Sequence, residues 1–453
     1  MERFDVLVIG NGSGGHIANY AAGEGYSTCL VDLPPPGGTC QNFGCIPSKM
    51  LIAPADRIHD IRDSAKLGID AEIRDIDFDF IMDRMRKNRR ESRASAHSFL
   101  SNDPPFTYIE GEARFIGESA IAVEGREIFA DKIFIATGAR PLIPPIDGID
   151  EVDYLTNESV LELRSRPESI AIVGGGYIGA EYENFFSAVG TKVTVVQRGE
   201  RILPREEPEI SEYLAGRISA RSEVLTNHGV VALENGDDGN ITLCAKNRES
   251  GEEIELTAER VMIATGRKSN ADRLNPEKAG IERNERGYIR VDRHLETSAE
   301  GIYAMGDAIG KGMFKHTANR EAGIAWYNAT HAEKTAVNYA ATPHAVFSRP
   351  QIARVGSTEE EAAREHEILV GRAEYSSIAM GTAMGAGGFA KAVVDRKSRR
   401  ILGFHIVGPE ASTLIQEVVN AAAAHSRMDD IVLGQHIHPA LPELILEVLG
   451  NLK

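Results

Sequence analysis

The chain has 453 residues, of which 42% are hydrophobic and 26% are charged, values typical of a folded protein with several domains and not of a disordered chain. The 50 Lys and Arg residues against 67 Asp and Glu give a formal net charge of −17, which excludes general attraction to nucleic acid or to anionic membranes. No apolar run reaches the ~20 residues that cross a bilayer, and the amino terminus leads directly into a strand-like segment. We therefore expect no membrane span and no signal peptide, and a cytoplasmic location.

The first predicted elements form a βαβ unit around a glycine-rich turn. The apolar strand 6–9 leads into the turn, a helix that reaches Ala22, and a second strand that ends at Asp32. The glycines of the turn are Gly10, Gly12 and Gly15. This spacing lets a pyrophosphate approach the helix N terminus, and the acid after the second strand can hold a ribose hydroxyl. The segment predicts a dinucleotide site.

Two cysteines follow this unit. Cys40 and Cys45 lie five residues apart in segment 37–49, and four cysteines in a chain of 453 residues do not make a disulfide framework. No second pair of cysteines or histidines completes a zinc site, so no metal is predicted. A helix N terminus and Lys49 would lower the pKa of a cysteine, and the thiolate is the nucleophile in thiol–disulfide exchange. We interpret the pair as redox-active, against the alternative of two buried cysteines without a chemical role.

The same βαβ pattern returns later in the chain. Strand 170–173 leads into a second glycine turn, a helix to about Val189, and strand 192–196. The glycines are Gly174, Gly176 and Gly179. Each copy closes on a matching segment, 135–138 in the first and 263–266 in the second. One glycine motif is a weak signal, but two copies in repeated strand contexts predict two dinucleotide-binding domains.

The remaining segments complete the predicted architecture. Segment 301–307 is a strand that ends in a glycine and an aspartate, and a helix begins near Thr317. From about residue 338 the pattern alternates strands with helices, which is typical of an α+β domain. The strands are predicted at 345–347, 390–394 and 401–407, the helices at 358–364 and 411–425, and a flexible loop at 380–388.

The cysteine pair, both glycine motifs and segment 435–443 together resemble the FAD-dependent pyridine nucleotide–disulfide oxidoreductases, over essentially the whole chain. The resemblance implies an α/β fold with two Rossmann-like dinucleotide-binding domains, one for FAD and one for NAD(P)H, and a C-terminal α+β dimerisation domain. It divides the chain into 1–148 and 270–337 for FAD, 149–269 for NAD(P)H, and 338–453 for dimerisation. It also implies an obligate homodimer.

The resemblance assigns chemical roles to six residues. Cys45 is expected next to the flavin, and Cys40 is expected to attack the substrate disulfide. Lys49 and Glu181 match a lysine–glutamate pair near the flavin. His438 and Glu443 match the acid–base pair, with His438 acting on Cys40 of the other subunit. From the residues alone, a histidine that titrates near neutrality can return a proton to a thiol, and the nearby carboxylate can orient it.

The resemblance also implies the residues that contact the cofactors. FAD contacts are expected at Gly10, Gly12, Gly15, Asp32, Gly38, Thr39, Lys49, Thr137, Gly138, Gly306 and Asp307. NAD(P)H contacts are expected at Gly174, Gly176, Tyr177, Gly179, Gln197, Arg198 and Gly266, with Tyr177 as an aromatic gate. The second unit ends in Gln197 and Arg198 instead of an acid, and Arg198 can pair with a 2′-phosphate. We therefore expect NADPH, with NADH as the alternative, although Pro204 stands where a further arginine is common.

Several segments resemble those of mycothione reductases, among them 315–319 and 437–443, and they favour a small-molecule disulfide as substrate. The alternatives are a dihydrolipoamide dehydrogenase that serves a lipoyl-carrying protein and a redox-sensing flavoprotein. Mercuric reduction is disfavoured because no cysteine follows Cys244. Gln41 and Phe43 replace the Leu and Val common between the cysteines of the family. The basic stretch Arg84 to Arg93 is interpreted as a solvated helix face, against the alternative of a surface that attracts an anionic thiol or a carrier domain.

Overall fold

The computed structural model describes residues 1–102, 104–425 and 427–453, and the chain forms two compact units. Unit 1 consists of Met1–Pro47, Asp83–Leu142 and Gly266–Tyr339. Unit 2 consists of Ser48–Met82, Ile143–Thr265 and Ala340–Lys453. The predicted α/β fold class is confirmed, while the predicted boundaries of the four domain segments stay a prediction.

The helices and strands follow one another in chain order. The first 142 residues contain β1 (Glu2–Ile9), α1 (Gly14–Gly23), β2 (Thr28–Asp32), α2 (Gly38–Asn42), α3 (Cys45–Arg62), α4 (Phe78–Ser101), β3 (Thr107–Glu110), β4 (Arg114–Gly117), β5 (Ala120–Val123), β6 (Arg126–Ile135) and β7 (Ala139–Pro141). The central part contains β8 (Ser169–Val173), α5 (Tyr177–Ala188), β9 (Lys192–Val196), α6 (Pro208–Ser219), β10 (Glu223–Leu225), β11 (His228–Asn235), β12 (Ile241–Asn247), β13 (Glu253–Ala258), β14 (Arg260–Ile263), β15 (Arg267–Ser269), β16 (Ile302–Ala304) and α7 (Lys315–Thr330). The last part contains β17 (Pro343–Val346), β18 (Ile352–Gly356), α8 (Glu359–Ala363), β19 (Ile368–Glu374), α9 (Ala379–Ala383), β20 (Phe389–Asp395), β21 (Ile401–Val407), α10 (Ala411–Ala423), α11 (Met428–Val432) and α12 (Glu443–Gly450).

Unit 1 is built on a sheet whose parallel strands lie in the order β3-β2-β1-β6, with β16 beside the end of β6. Strand β1 pairs in parallel with β2 on one side and β6 on the other, and its last four residues are buried. A strand covered on both faces needs such a continuous apolar run. The carboxyl ends of β1 and β6 therefore meet at one edge of the sheet, where Gly10 begins the first glycine turn.

Three sheets, one parallel and two antiparallel, lie within the described residues of unit 2. The parallel sheet β10-β9-β8-β14 carries α5 after its first strand, β8, and the antiparallel sheet β11-β12-β13 follows. The five-stranded antiparallel sheet β17-β18-β21-β20-β19 belongs to the last part of the chain. Phe389 and Val407 of this sheet join Ile210 and Leu214 of α6 in one buried cluster. The second glycine turn thus rests on a core that includes residues from the C-terminal segment.

The predicted loop at 380–388 is partly wrong. Helix α9 occupies its first residues, because Gly381 allows the turn to pack closely: a Cβ at this position would lie 1.9 Å from the carbonyl oxygen of Tyr375. Within the described part of the chain, no helix is both long and apolar enough to cross a membrane.

Candidate active site

The first glycine turn brings three backbone segments of unit 1 together. Gly10 has a φ of +104°, and a Cβ there would lie 2.4 Å from the carbonyl oxygen of Ala136. A Cβ on Gly38, at the start of α2, would lie 2.7 Å from the Cα of Gly12. Only glycine fits at these positions. The turn, the end of β6 and the start of α2 therefore form a cradle of closely approaching backbone.

Polar atoms without protein partners surround this cradle. Among the described residues, Oδ2 of Asp32 and Oγ1 of Thr137 are buried and accept or donate no hydrogen bond. Burial raises the pKa of Asp32 to about 7, although the backbone N–H groups of Asn11 and Leu33 act in the opposite direction. A buried polar atom without a partner is costly unless a ligand completes it. Both positions are among those expected to contact FAD.

The predicted turn at Gly306 and Asp307 directly follows β16, in the segment that leads to α7. Asp307 forms an ion pair with Arg267, Nε to Oδ2 3.3 Å, and burial nevertheless raises the pKa of this carboxyl group. The N–H of Gly306 donates to Glu321 at 2.6 Å, which fixes the turn. The remaining positions predicted to contact FAD in unit 1, Gly15, Thr39 and Gly138, lie at the first turn of α1, in α2 and directly after Thr137.

The two cysteines lie on consecutive helices. Cys40 is the middle residue of α2 and Cys45 is the first residue of α3, and both are thiols. A hydrogen bond with the Cys45 side chain and burial raise the pKa of Cys40, while the positive charge of Lys315 opposes the rise. Lys315 donates to Oγ of Ser13 at 3.1 Å, and burial lowers its pKa. The cation that acts on the pair within unit 1 is thus Lys315, a residue that sequence reasoning missed.

Lys49, which was expected to act on a cysteine, makes an ion pair in unit 2. Its Nζ lies 2.7 and 2.8 Å from the two carboxylate oxygens of Glu181 and 4.4 Å from the ring centre of Phe347. Glu181 also accepts the N–H of Phe347 at 3.1 Å. The structure therefore brings the predicted Lys49–Glu181 pair together and adds Phe347 to it.

The second glycine turn has the same backbone shape as the first. Gly174 has a φ of +115°, and a Cβ on Gly179 would lie 2.0 Å from the carbonyl oxygen of Gly174. Gly176 precedes α5, and Gly266, the last residue of the closing segment 263–266, has a φ of +130°. The helix N terminus offers free N–H groups to a pyrophosphate.

The side chains that end β9 differ in exposure. The Oε1 atom of Gln197 accepts a hydrogen bond from the N–H of Gly175 at 2.9 Å. The Nε2 group of the same side chain is the part that could donate to a ligand. Arg198 is exposed, as a residue that meets a 2′-phosphate must be.

Tyr177 is held by two residues that the sequence did not indicate. Its hydroxyl group donates to Oε1 of Glu206 at 2.6 Å, and Nε2 of His344 lies 2.7 Å from the same oxygen. The rings of Tyr177 and His344 stack with centres 5.3 Å apart. Burial would raise the pKa of Glu206, but the bonds with His344 and Tyr177 hold it below its ordinary value. The aromatic residue expected as a gate is therefore anchored to a buried carboxylate.

The predicted acid–base pair is formed. Nδ1 of His438 lies 2.7 Å from Oε1 of Glu443, and the other carboxylate oxygen accepts the N–H of Ala440 at 3.0 Å. The hydrogen bond with His438 lowers the pKa of Glu443. The His438 side chain is 71% exposed, and the neighbouring Ile437 is 78% exposed. The imidazole thus has an oriented Nδ1 and an open Nε2.

Comparisons with known proteins agree with this geometry. Residues 4–322 match the family described as pyridine nucleotide-disulphide oxidoreductase, and residues 342–449 match the dimerisation domain of that family. The chain belongs to this family. It is an FAD-dependent oxidoreductase of the class that uses FAD and NAD(P)H.

Three relatives show the range of the similarity. The chain is 35% identical to a mycothione reductase of Mycobacterium tuberculosis, with 100% of both chains covered. It is 34% identical to a dihydrolipoyl dehydrogenase of Haloferax volcanii, with 99% of this chain and 96% of that protein covered. The Cu(II) complex of the HOCl-induced flavoprotein disulfide reductase RclA from Escherichia coli has a TM-score of 0.88, 28% identity and 99% coverage of both chains.

One sequence interpretation is wrong. The basic stretch from Arg84 to Arg93 is not a uniformly solvated face, because Arg86 and Arg89 are 6% and 4% exposed. Arg86 pairs with Asp83 at 2.8 Å, while Arg89 turns toward the segment between the cysteines. A run of charges on a helix does not reveal which of them another segment covers.

His436, two residues before His438, is engaged within the chain. Both nitrogens of His436 are engaged, Nε2 with Glu417 at 2.8 Å and Nδ1 with the carbonyl of Gly434 at 3.1 Å. Across the three described stretches of the chain, no three His, Cys, Asp or Glu side chains form a group that would hold a metal ion.

Proposed function

We propose that this protein is an NADPH-driven reductase of a low-molecular-weight thiol disulfide, with Cys40 and Cys45 as the redox pair. The observation that carries the proposal is the hydrogen-bonded cysteine pair in unit 1, beside the glycine cradle and the half-buried Lys315. A cation near a thiol favours the thiolate form, which is the reactive form. A small disulfide is supported by the mycothione reductase relative, which matches along the whole of both chains.

The FAD positions fit that cofactor. The orphaned carboxylate oxygen of Asp32 would accept a hydroxyl of the ribose, and the backbone at Gly10 and Gly12 would approach the pyrophosphate. Asp307, in the turn after β16, would add a further contact within unit 1. When bound, FAD transfers electrons from the nicotinamide to the cysteine pair.

The two cysteines act in sequence on the substrate disulfide. The Cys40 thiolate attacks one substrate sulfur, and a Cys40–substrate disulfide forms as the substrate S–S bond breaks. The first product leaves as a thiolate and takes a proton from Nε2 of protonated His438. The Cys45 thiolate then attacks the Cys40 sulfur, which releases the second product and closes the Cys40–Cys45 disulfide. Two electrons thus pass from the pair to the substrate.

The exposure of His438 supports a role for this residue at an interface with a second copy of the chain. Its imidazole and Ile437 are exposed, and Leu433 is 83% exposed, so segment 433–438 offers two apolar side chains and a base to a partner. The match to a dimerisation domain at 342–449 supports a homodimer in which His438 serves Cys40 of the other subunit. The reliance on NAD(P)H supports a cytoplasmic location.

A lipoamide dehydrogenase is the second candidate, because the Haloferax volcanii relative is nearly as similar. Under this second candidate function, the chain would oxidise protein-bound dihydrolipoamide with NAD⁺. The Gln197–Arg198 end of β9 favours NADPH instead, since it lacks the carboxylate that a non-phosphorylated ribose uses.

The test is steady-state turnover of the purified flavoprotein with NADPH and NADH on a panel of small-thiol disulfides and lipoamide, together with NAD⁺ reduction by dihydrolipoamide. Fast NADPH oxidation on one small disulfide is the expected result, and efficient NAD⁺ reduction would establish the second candidate instead. Cys40→Ser should abolish disulfide reduction while NADPH still reduces the flavin. Retained disulfide turnover in Cys40→Ser would remove Cys40 from its role.

A further inference from the structure

The segment between the two cysteines is held by helix α4. Arg89 donates from Nε to the carbonyl oxygen of Asn42 at 2.9 Å, and Arg93 donates from Nε to Oδ1 of Asn42 at 2.7 Å. The two arginines are four residues apart on the helix and therefore share a face. Asn42 is 1% exposed, so these bonds are shielded from water.

The neighbouring residue is bound by the same two side chains. The guanidinium carbons of Arg89 and Arg93 lie 5.7 and 5.3 Å from the ring centre of Phe43, within the range of a cation–π contact. Phe43 is one of the two residues that depart from the family pattern between the cysteines. Because a valine has no ring face, this departure creates a contact that the common residue would lack.

The side chain of Asn42 also bonds to the turn that precedes Cys40. Its Nδ2 donates to the carbonyl oxygens of Pro36 and Gly38 at 2.9 and 3.0 Å. Gly38 forms the cradle with Gly12. One buried amide thus connects the arginines of α4, the turn before Cys40 and the glycine cradle.

We propose that Arg89 and Arg93 are positioning residues that set the redox equilibrium of the Cys40–Cys45 pair. This inference rests on the proposed function only in taking the two cysteines as the redox couple. Closing the pair forms one S–S bond and releases two electrons and two protons. When segment 41–44 is held in place, the two sulfurs stay close and their effective concentration is high, which favours formation of the Cys40–Cys45 disulfide. When the contacts with the arginines are lost, disulfide formation becomes less favourable.

The experiment measures this equilibrium directly on the FAD-bound enzyme. Variants are equilibrated in mixtures of reduced and oxidised dithiothreitol, which supply or accept the two electrons and two protons, and their thiols are then alkylated and counted by mass. We expect Arg93→Ala to make closure about tenfold less favourable. This fold-change corresponds to a reduction potential ~30 mV less negative.

Three further variants separate a positioning role from general destabilisation. Phe43→Val should give a shift similar to that of Arg93→Ala, and the double variant should give no larger shift than either, because the contacts act as one unit. Arg93→Lys should not restore the wild-type equilibrium, since an ammonium group lacks the planar donor face. Arg90→Ala, at an exposed arginine of the same helix, is the matched control and should leave the equilibrium unchanged.

A wild-type equilibrium in FAD-bound Arg93→Ala and Phe43→Val, an equal shift in Arg90→Ala, or fully additive effects would overturn the inference. If Arg93→Ala does not retain FAD, Phe43→Val alone decides, because it leaves both arginines in place. The measurement uses no substrate, so it stands apart from the Cys40→Ser experiment. A shifted equilibrium together with retained Cys40→Ser turnover would refute the proposed function and leave the positioning role intact.

Discussion

The two glycine turns of this chain have the same backbone and differ in their side chains. Gly10 has a φ of +104° and Gly174 of +115°, and an added Cβ would lie 2.4 Å from the carbonyl oxygen of Ala136 in the first turn and 2.4 Å from that of Ala264 in the second. The local geometry is therefore copied to within a few tenths of an ångström. The backbone alone does not distinguish the two cofactors.

The two turns differ in the side chain that accepts a hydrogen bond from the residue after the first glycine. In the first turn the N–H of Asn11 donates to the carboxylate of Asp32, and in the second the N–H of Gly175 donates to the amide oxygen of Gln197. An acid can bind two hydroxyls of a ribose but repels a 2′-phosphate, whereas an amide tolerates the phosphate. The side chain after the second strand is therefore the difference on which the proposed preference of the second site for a 2′-phosphate rests.

The largest expected effect comes from breaking the shared backbone in one turn at a time. Gly10→Ala places a Cβ against a carbonyl oxygen at a positive φ, at a cost of about 2–5 kcal/mol. We expect this variant to purify without bound flavin, while Gly174→Ala retains flavin and loses reduction by NAD(P)H. Visible absorbance and anaerobic reduction check the two outcomes.

Gly23→Ala is the matched control for both turns. Apart from the chain neighbours and the local helix backbone, no described atom lies within 4 Å of a Cβ at this position in α1, and alanine is the better helix former. Flavin content should stay at the wild-type level. Equal flavin loss in Gly10→Ala and Gly174→Ala would contradict the separate roles of the two turns.

A smaller effect is expected from the acid of the first turn. The folded protein holds the pKa of Asp32 at about 7 by burial, against an ordinary value of 3.8, so the folded state binds more protons between these values. The unfolding free energy of the apoprotein should therefore fall as the pH rises from about 4 to 7, by ~2–4 kcal/mol. Asp32→Asn should remove this pH dependence and also weaken FAD binding.

Chemical denaturation of both apoproteins across this pH range is the measurement. If the unfolding free energies of the wild type and Asp32→Asn changed with pH in parallel, burial would not raise the pKa of Asp32. FAD titration of the same samples reports the loss of the ribose contact.

The smallest effect is expected from making the second turn resemble the first. Gln197→Glu keeps an acceptor for the N–H of Gly175 and adds a negative charge near the site of a 2′-phosphate. We expect kcat/KM for NADPH to fall about tenfold, equivalent to ~1.4 kcal/mol, with NADH turnover retained. Glu200→Gln, at an exposed neighbour, is the control. An equal loss with both nucleotides would place Gln197 outside the phosphate site.

The parts that sequence analysis predicted correctly are those whose partners the motifs specify. Both glycine turns, the Lys49–Glu181 pair and the His438–Glu443 pair have the predicted geometry, and their residue roles stay predictions. In the turns, short-range backbone constraints dictate the residue type. A motif that fixes both spacing and residue type therefore predicts a local geometry well.

The parts that sequence analysis missed depend on contacts between distant segments. Glu206 and His344 are 138 residues apart, and nothing in either segment indicates that they share a hydrogen bond with Tyr177. The burial of Arg89 was mispredicted for the same reason. Its helix is charged on the sequence level, and only the three-dimensional packing shows that the linker between the cysteines covers it.

The interleaved order of the two units has a consequence for biosynthesis. Strand β16 (Ile302–Ala304) pairs with the end of β6 (Arg126–Ile135), so unit 1 lacks part of its sheet until the ribosome has also made residues 143–265 of unit 2. Because synthesis proceeds at ~5–20 residues per second, the edge of β6 stays unpaired for about 10–30 s before β16 has been made. An unpaired apolar strand edge is prone to aggregation. Nascent chains of this protein should therefore depend on chaperones during that interval, and fragments that end before residue 300 should not yield a stable flavin-binding unit.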